Sequence, residues 1–284
     1  MNEEKRVKKE NVNKPAHEVD TPLKKGLKTK KEIVDNWLPR YTGRPLEEFG
    51  EYILLTNFSR YLTLFSEWNG HAPIYGLEKP MQSVSANGIT IINFGMGSPL
   101  AATIMDLLSA VSPKAVLFLG KCGGLKKKNS IGDLILPIAA IRGEGTSNDY
   151  LPPEVPALPA FALQKAISTT IRDHSRDYWT GTVYTTNRRV WEHDKSFKKY
   201  LKTLRAMAID METATIFTAG FMNKIPTGAL LLISDQPMTP EGVKTAESDA
   251  SSKAEYFVET HLKIGIDSLL QLVTNGLTVK HLKF

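Results

Sequence analysis

Short apolar runs rich in β-branched residues alternate along this chain with stretches of helical period, and that alternation constrains the fold more than any other feature. The runs are YILLT (Tyr52–Thr56), GITIINFG (Gly88–Gly95), AVLFLG (Ala115–Gly120), DLILP (Asp133–Pro137), TGTVYTT (Thr180–Thr186), AMAID (Ala206–Asp210) and IPTGALLLISD (Ile225–Asp235). The spacing between them predicts helices over Ser59–Trp68, Ser98–Ala110, Phe161–His174, Ser196–Leu204 and METATIFTAGFM, with a long closing helix over Lys253–Val273. A first helix is expected behind Thr29, where Thr29 and Glu32 have capping-box spacing, and Pro39 and Gly43 are expected to break it. AVLFLG is apolar on both faces, as a covered parallel strand must be. Strands and helices in this alternation need crossover connections. The expected fold is therefore a single α/β domain with a central mixed, mainly parallel sheet flanked by helices, over residues 29–284. No period of 20–50 residues recurs, which excludes a solenoid.

Residues 1–28 read differently. Residues 1–31 hold ten Lys/Arg against five Asp/Glu, so this segment supplies +5 of the net charge of +6 and the rest of the chain is close to neutral. With few apolar residues to bury, the segment is expected to be a solvated tail. It has no aromatic residue to stack on a base, which counts against nucleic acid as a partner despite the basic balance. No run approaches the roughly 18 apolar residues of a membrane span, and the first residues lack the apolar core of a secretory signal. Cys122 is the single cysteine, so no internal disulfide and no cysteine-based zinc site is expected. The expectation is a cytoplasmic protein without metal or cofactor.

In open α/β sheets ligands bind beyond the carboxyl ends of strands. After ITIIN comes FGMGSP, where Gly95 and Gly97 either bring backbone amides close to an anion or simply make a tight turn. After AVLFL comes Gly120-Lys121-Cys122-Gly123-Gly124, which suits a small polar ligand against bare backbone, with Cys122 a packing or pocket-wall residue. LLLISD places Asp235 at the open end of a core strand, as a helix cap or as an acid held ready to give up a proton. AIDMETAT sets Asp210 and Glu212 about a strand-to-helix junction, where Glu212 either complements the helix dipole or serves a ligand. Neither a dinucleotide fingerprint nor a phosphate loop is present.

INFGMGSP, FLGKCGG, AIDMETATIFTAG and LLLISD, in this order and spacing, resemble the purine nucleoside phosphorylase/uridine phosphorylase family. NWLPRYTG (Asn36–Gly43), YILLTNF (Tyr52–Phe58) and GTVYTTNRRVWEHD (Gly181–Asp194) are most similar to its AMP nucleosidase branch. The resemblance implies cleavage of an N-glycosidic bond through an oxocarbenium-like transition state. By it, Glu212 would bind the ribose hydroxyls with Met211 beneath the sugar, and Asp235 would protonate N7 of a departing purine. Cys122, Gly123 and Ile209 would edge the base, Gly97 would lie in the glycine turn, and Trp191 would be a stacking aromatic or, alternatively, core. Arg142, in AIRGEGTSNDY, matches a segment near the family's base site.

The departures concern the nucleophile. The family's phosphorylases carry a G-D-P-x-R element where this chain has Thr56-Asn57-Phe58-Ser59-Arg60, and an arginine where it has Phe118. Without that anion cradle, water is the expected nucleophile. Asn57 stands where related nucleosidases carry a glutamate, which leaves the group that activates water open. A 5′-phosphate needs cations, preferably forked guanidinium donors. The candidates are Arg40, Arg44, Arg60, Lys121, Arg188 and Arg189; the resemblance implies a homo-oligomer, a hexamer by the family, with sites near subunit contacts, so that a neighbouring copy can supply one of the cations. The expected substrate is AMP.

Overall fold

The computed structural model describes residues 28–239, 241–243 and 252–274. Of the expected tail, all but Lys28 lies outside the described residues. The helices are α1 (Lys30–Thr42), α2 (Ser59–Trp68), α3 (Ser98–Leu107), α4 (Phe161–Asp173), α5 (Lys195–Leu204), α6 (Thr213–Met222) and α7 (Ser252–Thr274). The strands are β1 (Tyr52–Thr56), β2 (Ile74–Tyr75), β3 (Gln82–Ala86), β4 (Ile89–Asn93), β5 (Ala115–Gly124), β6 (Leu134–Gly143), β7 (Tyr178–Thr186), β8 (Ala208–Asp210) and β9 (Thr227–Asp235).

They form one sheet in the order β2-β3-β4-β1-β5-β8-β7-β6-β9, with β9 also paired to β5. Five of the pairings are parallel and four antiparallel, so the sheet is mixed with parallel pairs in the majority. β5 runs parallel to β1 through Leu119 and parallel to β9 along most of its length, then pairs with β8 at Gly123 and Gly124. The pairings of β5, β8, β7, β6 and β9 therefore close into a ring, and the ends of β5, β8 and β9 meet.

Period-2 alternation assigns the strand residues to two cores. Ile53, Leu55, Val116, Phe118, Ala229 and Leu231 face the layer that contains Ile104, Met105, Ile216 and Phe217. Leu54, Leu117, Leu119, Leu230 and Leu232 face a second layer with Leu62, Phe65, Leu163, Ile167 and Leu262. This is why YILLT is buried at every position. α6 is buried on all sides from Thr213 to Gly220, as a helix without a polar face must be.

Three expectations need correction. The capping box at Thr29 is present, and Gly43 ends α1 in the left-handed region (φ 70°), but Pro39 lies inside the helix rather than breaking it. Proline removes one backbone donor, and here the last turn is secured by Thr42 Oγ1 donating to Leu38 O and by the Gly43 N–H donating to Pro39 O. The glycines after AVLFL are not a loop beyond the strand; β5 continues through Gly124. Finally, QSVSANGIT is an antiparallel hairpin, β3–β4, which the strand reading missed. Its Asn87-Gly88 turn, with both residues at positive φ, is the strongest short hairpin signal a sequence carries.

Candidate active site

Where β5, β8 and β9 end together, a cavity of about 300 Å³ opens, at the lower bound of the size of small-ligand sites. Asn57, Lys121, Cys122, Gly123, Arg188, Arg189, Trp191, Ile209, Met211, Glu212 and Asp235 all line it, having come from five separate stretches of sequence.

Asp210 and Glu212 sit at the junction of β8 and α6. Both carboxylates are buried, and they do different work. Asp210 caps the helix: it accepts from the Thr213 N–H at 2.8 Å, the Glu212 N–H at 3.2 Å, Thr213 Oγ1 and, at 2.7 Å, Thr185 Oγ1. Burial raises its proton affinity, but four donors oppose that, so the negative charge of the pair belongs on Asp210. Glu212 accepts from the Gly97 N–H at 2.7 Å and from its neighbour Met211 N–H at 3.2 Å. Burial first, then the Asp210 charge, push the Glu212 carboxyl up to about 8, against donation from Gly97, Met211 and Asn57. The glycine turn thus offers an amide to an anion, and the anion is the protein's own Glu212. Gly97 can do this because its φ of 96° suits glycine.

Asp235 ends β9, half-buried, and its Oδ1 accepts from Ser234 Oγ at 2.8 Å. It lies against Cys122, a buried thiol whose pKa is pushed up by burial and by the charges of Asp210 and Asp235. A thiol held protonated among apolar walls is a wall and no nucleophile. At Gly123 an added Cβ would come within 2.8 Å of Pro237 and 3.2 Å of Ile209, so bare backbone is what leaves room there.

The opposite wall comes from the loop after β7. Trp191 is buried, its ring edge-on to Phe197 at 5.4 Å in a small core with Tyr184, Leu201 and Ile209. It is both core and cavity wall. Arg188 pairs with Asp194 at 3.0 Å and lies over the Phe197 ring; Arg189 pairs with Glu192 at 3.5 Å. The Lys121 ammonium stands 4.3 Å from the centre of the Phe58 ring.

The other arginines lie elsewhere. Arg44 is buried over the Tyr75 ring at 4.3 Å, with Nε donating to Ser83 Oγ and Nη1 paired with Glu48. Arg40 is exposed near Trp37, and Arg60 pairs with Glu67 along α2. Arg142 clasps the loop that follows β6, donating to Ser147 Oγ and to the carbonyls of Ser147, Leu151, Pro152 and Val155. Within one chain, none of these four lines the cavity. Cavity residues not singled out from the sequence include Phe58, Met96, Glu192 and Pro237, placed by loops whose course depends on tertiary packing, and Thr186, the last residue of β7.

The family model described as the phosphorylase superfamily matches residues 58–263. The chain belongs to the phosphorylase superfamily. Among curated superfamily relatives, the AMP nucleosidase of Escherichia coli (strain K12) is 31% identical over 84% of this chain. The chain spans only 58% of that relative's length. A crystal structure of AMP nucleosidase from Bacteroides thetaiotaomicron VPI-5482 is 59% identical, with a TM-score of 0.78 over 87% of this chain and 99% of that one. Purine nucleoside phosphorylase from Toxoplasma gondii, at 18% identity, superposes with a TM-score of 0.72 over 79% of this chain and 92% of its own, and shares the superfamily fold.

Proposed function

We propose that the protein hydrolyses AMP to adenine and ribose 5-phosphate. The observation that carries this reading is that Asp235 and Glu212, from different strand ends, line one cavity together with three cationic side chains. Asp235 protonates N7 as the C1′–N9 glycosidic bond breaks, because a purine anion is a poor leaving group; such general acid catalysis contributes about 10²–10⁴-fold. The ribose hydroxyls donate to Glu212, and donation of that kind favours its ionised form. Met211 packs beneath the sugar, and Cys122, Gly123, Ile209 and Trp191 enclose the base. Among the described residues, Arg188, Arg189 and Lys121 are the cations that line the cavity, and guanidinium forks suit the 5′-phosphate. Arg40, Arg44 and Arg60 serve the phosphate only if they come from a neighbouring copy, and Arg142, expected near the base, is engaged by the loop after β6. A homo-oligomer is the proposed working form, and solution scattering or mass photometry tests it.

Water, rather than orthophosphate, takes the sugar. Phe118 is fully buried against Phe94 at 5.9 Å, an apolar pair where an anion cradle would need a cation. Adenine release from AMP, followed with and without orthophosphate, tests the reading. Release at equal rates in both is expected, and a requirement for orthophosphate would sink hydrolysis in favour of phosphorolysis.

A further inference from the structure

Two arginines and two carboxylates pair along the chain that follows β7, and they pair with unequal strength. Arg188 is held three ways: Nη1 meets Asp194 Oδ2 at 3.0 Å, the guanidinium lies 5.1 Å from the centre of the Phe197 ring, and the backbone N–H donates to Thr186 Oγ1 at 3.1 Å. Asp194 is in turn the cap of α5, its Oδ1 accepting from the Phe197 N–H at 2.9 Å and from Ser196 Oγ at 2.6 Å. Drawing Arg188 away would strip a partner from the start of that helix. Arg189 is held by one side-chain contact among the described residues, Nη1 to Glu192 Oε1 at 3.5 Å, beyond the usual range of a hydrogen bond. Its side chain is 60% exposed, against 19% for Glu192. The other oxygen of Glu192 accepts from the Trp191 N–H at 2.9 Å, so the carboxylate keeps its place when Arg189 leaves.

Polarity orders a nucleotide along the cavity. Cys122, Ile209 and Trp191, the walls assigned above to the base, are buried. The phosphate dianion is the most strongly hydrated part of the ligand and belongs at the rim, where water and an adjustable cation meet it. Arg189 lines the cavity and is mostly exposed, which puts its guanidinium at that rim. An exposed ion pair shifts an equilibrium by about fivefold at most, whereas a guanidinium fork on a phosphate shifts it by about 10- to 100-fold. A phosphate therefore takes Arg189 from Glu192, and a neutral 5′-hydroxyl does not.

We propose that Arg189 is the arginine of this chain that receives the 5′-phosphate, and that Glu192 is the stand-in anion that holds it in the empty site; the inference rests on the nucleotide reading above. The exchange makes the seat selective, because a nucleoside leaves the pair closed and a nucleotide opens it. No covalent bond is made or broken. Glu192, left beside a dianion, opposes binding and so favours departure of the phosphorylated sugar once the base has gone.

Calorimetry of ribose 5-phosphate and of adenosine tests the assignment on wild type, Arg189→Gln, Arg188→Gln and Glu192→Gln, with KM for AMP measured beside it. R189Q is expected to weaken ribose 5-phosphate by about 10- to 100-fold and to raise the KM for AMP in step, with adenosine within about twofold of wild type. Arg189→Lys, which keeps the charge and loses the fork, should fall between the two. R188Q should lower the melting temperature through the α5 cap and shift both ligands alike. E192Q keeps an acceptor for the Trp191 N–H and removes the competing charge, so ribose 5-phosphate should bind about two- to fivefold more tightly with adenosine unmoved. Equal losses for both ligands in R189Q, a phosphate-selective loss in R188Q in its place, or no gain in E192Q overturns the proposal. Should R189Q fail to fold, R189K and E192Q carry the same decision. Wild type that binds ribose 5-phosphate through Arg189 yet releases no adenine from AMP removes the hydrolytic reading and leaves the seat standing; wild type that hydrolyses AMP while R189Q binds ribose 5-phosphate unchanged removes only the seat.

Discussion

A carboxylate at a strand end is ambiguous until its donors are counted. Asp210 has four and serves the helix behind it; Asp235, whose Oδ1 accepts from Ser234 among its interactions, lines the cavity. Replacing Asp235 with Asn should keep AMP binding within about threefold while lowering turnover by about 10²–10⁴-fold, because the amide preserves shape and cannot donate an acidic proton. Calorimetry and initial rates separate the two, and undiminished turnover would remove its role as acid. Glu212 makes a different prediction. Its carboxyl is raised from 4.5 to about 8, so the native state holds a proton that the unfolded chain gives up. The stability this supplies is complete below pH 4.5 and is lost as pH rises through about 8. Melting temperatures of the ligand-free protein should thus fall from pH 5 to pH 9 more steeply than those of Glu212→Gln; parallel curves would contradict the assignment. At this scale the sequence was informative about carboxylates and poor about arginines. Asp235 and Glu212 are fixed by position at a strand end or helix start, which is local. Arg44 and Arg142 are spent on Ser83 and on the carbonyls after β6, partners up to 39 residues away that no local pattern reveals.

Among the elements, those whose cause is local were legible and those whose cause is tertiary were not. β1 and α2 have the bounds that their periodicity predicts, and Thr29 caps α1 through the reciprocal pair with Glu32. Thr29→Ala should cost about 1 kcal/mol, visible as a lower urea midpoint at unchanged slope. Pro39 was misjudged because proline's cost to a helix is set by what else secures the turn, here Thr42 and Gly43. The β3–β4 hairpin was missed although Asn87-Gly88 announced it; QSVSA is too polar to read as a strand until β4 lies beside it. α7 carries a further test. His261, fully buried, bridges Tyr61 Oη at 2.8 Å and Leu230 O at 2.9 Å, tying α7 to α2 and β9. Burial lowers its pKa from 6.5 to about 4, so the unfolded chain binds the proton first and stability is lost as pH falls from 6.5 through about 4. That acid-side loss should be shallower in His261→Gln, whatever its stability at neutral pH.

At the scale of the whole molecule the cavity belongs to no single element, which is why ligand and fold should be linked. A ligand bridging the ends of β5, β8 and β9 stabilises the native state by about 2.7 kcal/mol at a hundred times its Kd. AMP, tested on Asp235→Asn so that it persists through the melt, should raise the melting temperature more than adenosine at equal concentration. Equal shifts would mean that the cations of the cavity do not meet the phosphate. Alternation of strand and helix foretold the parallel majority and the covered sheet, because both follow from chain connectivity. It did not foretell that β9 would return to β5, since that pairing joins residues more than a hundred positions apart. The return has a consequence for how such a chain behaves in a crowded solution. Rolled up at one end, the sheet of the described residues has its free lateral edge at the other, and there the outermost strand, β2, is two residues long. Among the described residues, that short edge offers stray extended segments little backbone to hydrogen-bond to, which disfavours edge-to-edge polymerisation of the native state.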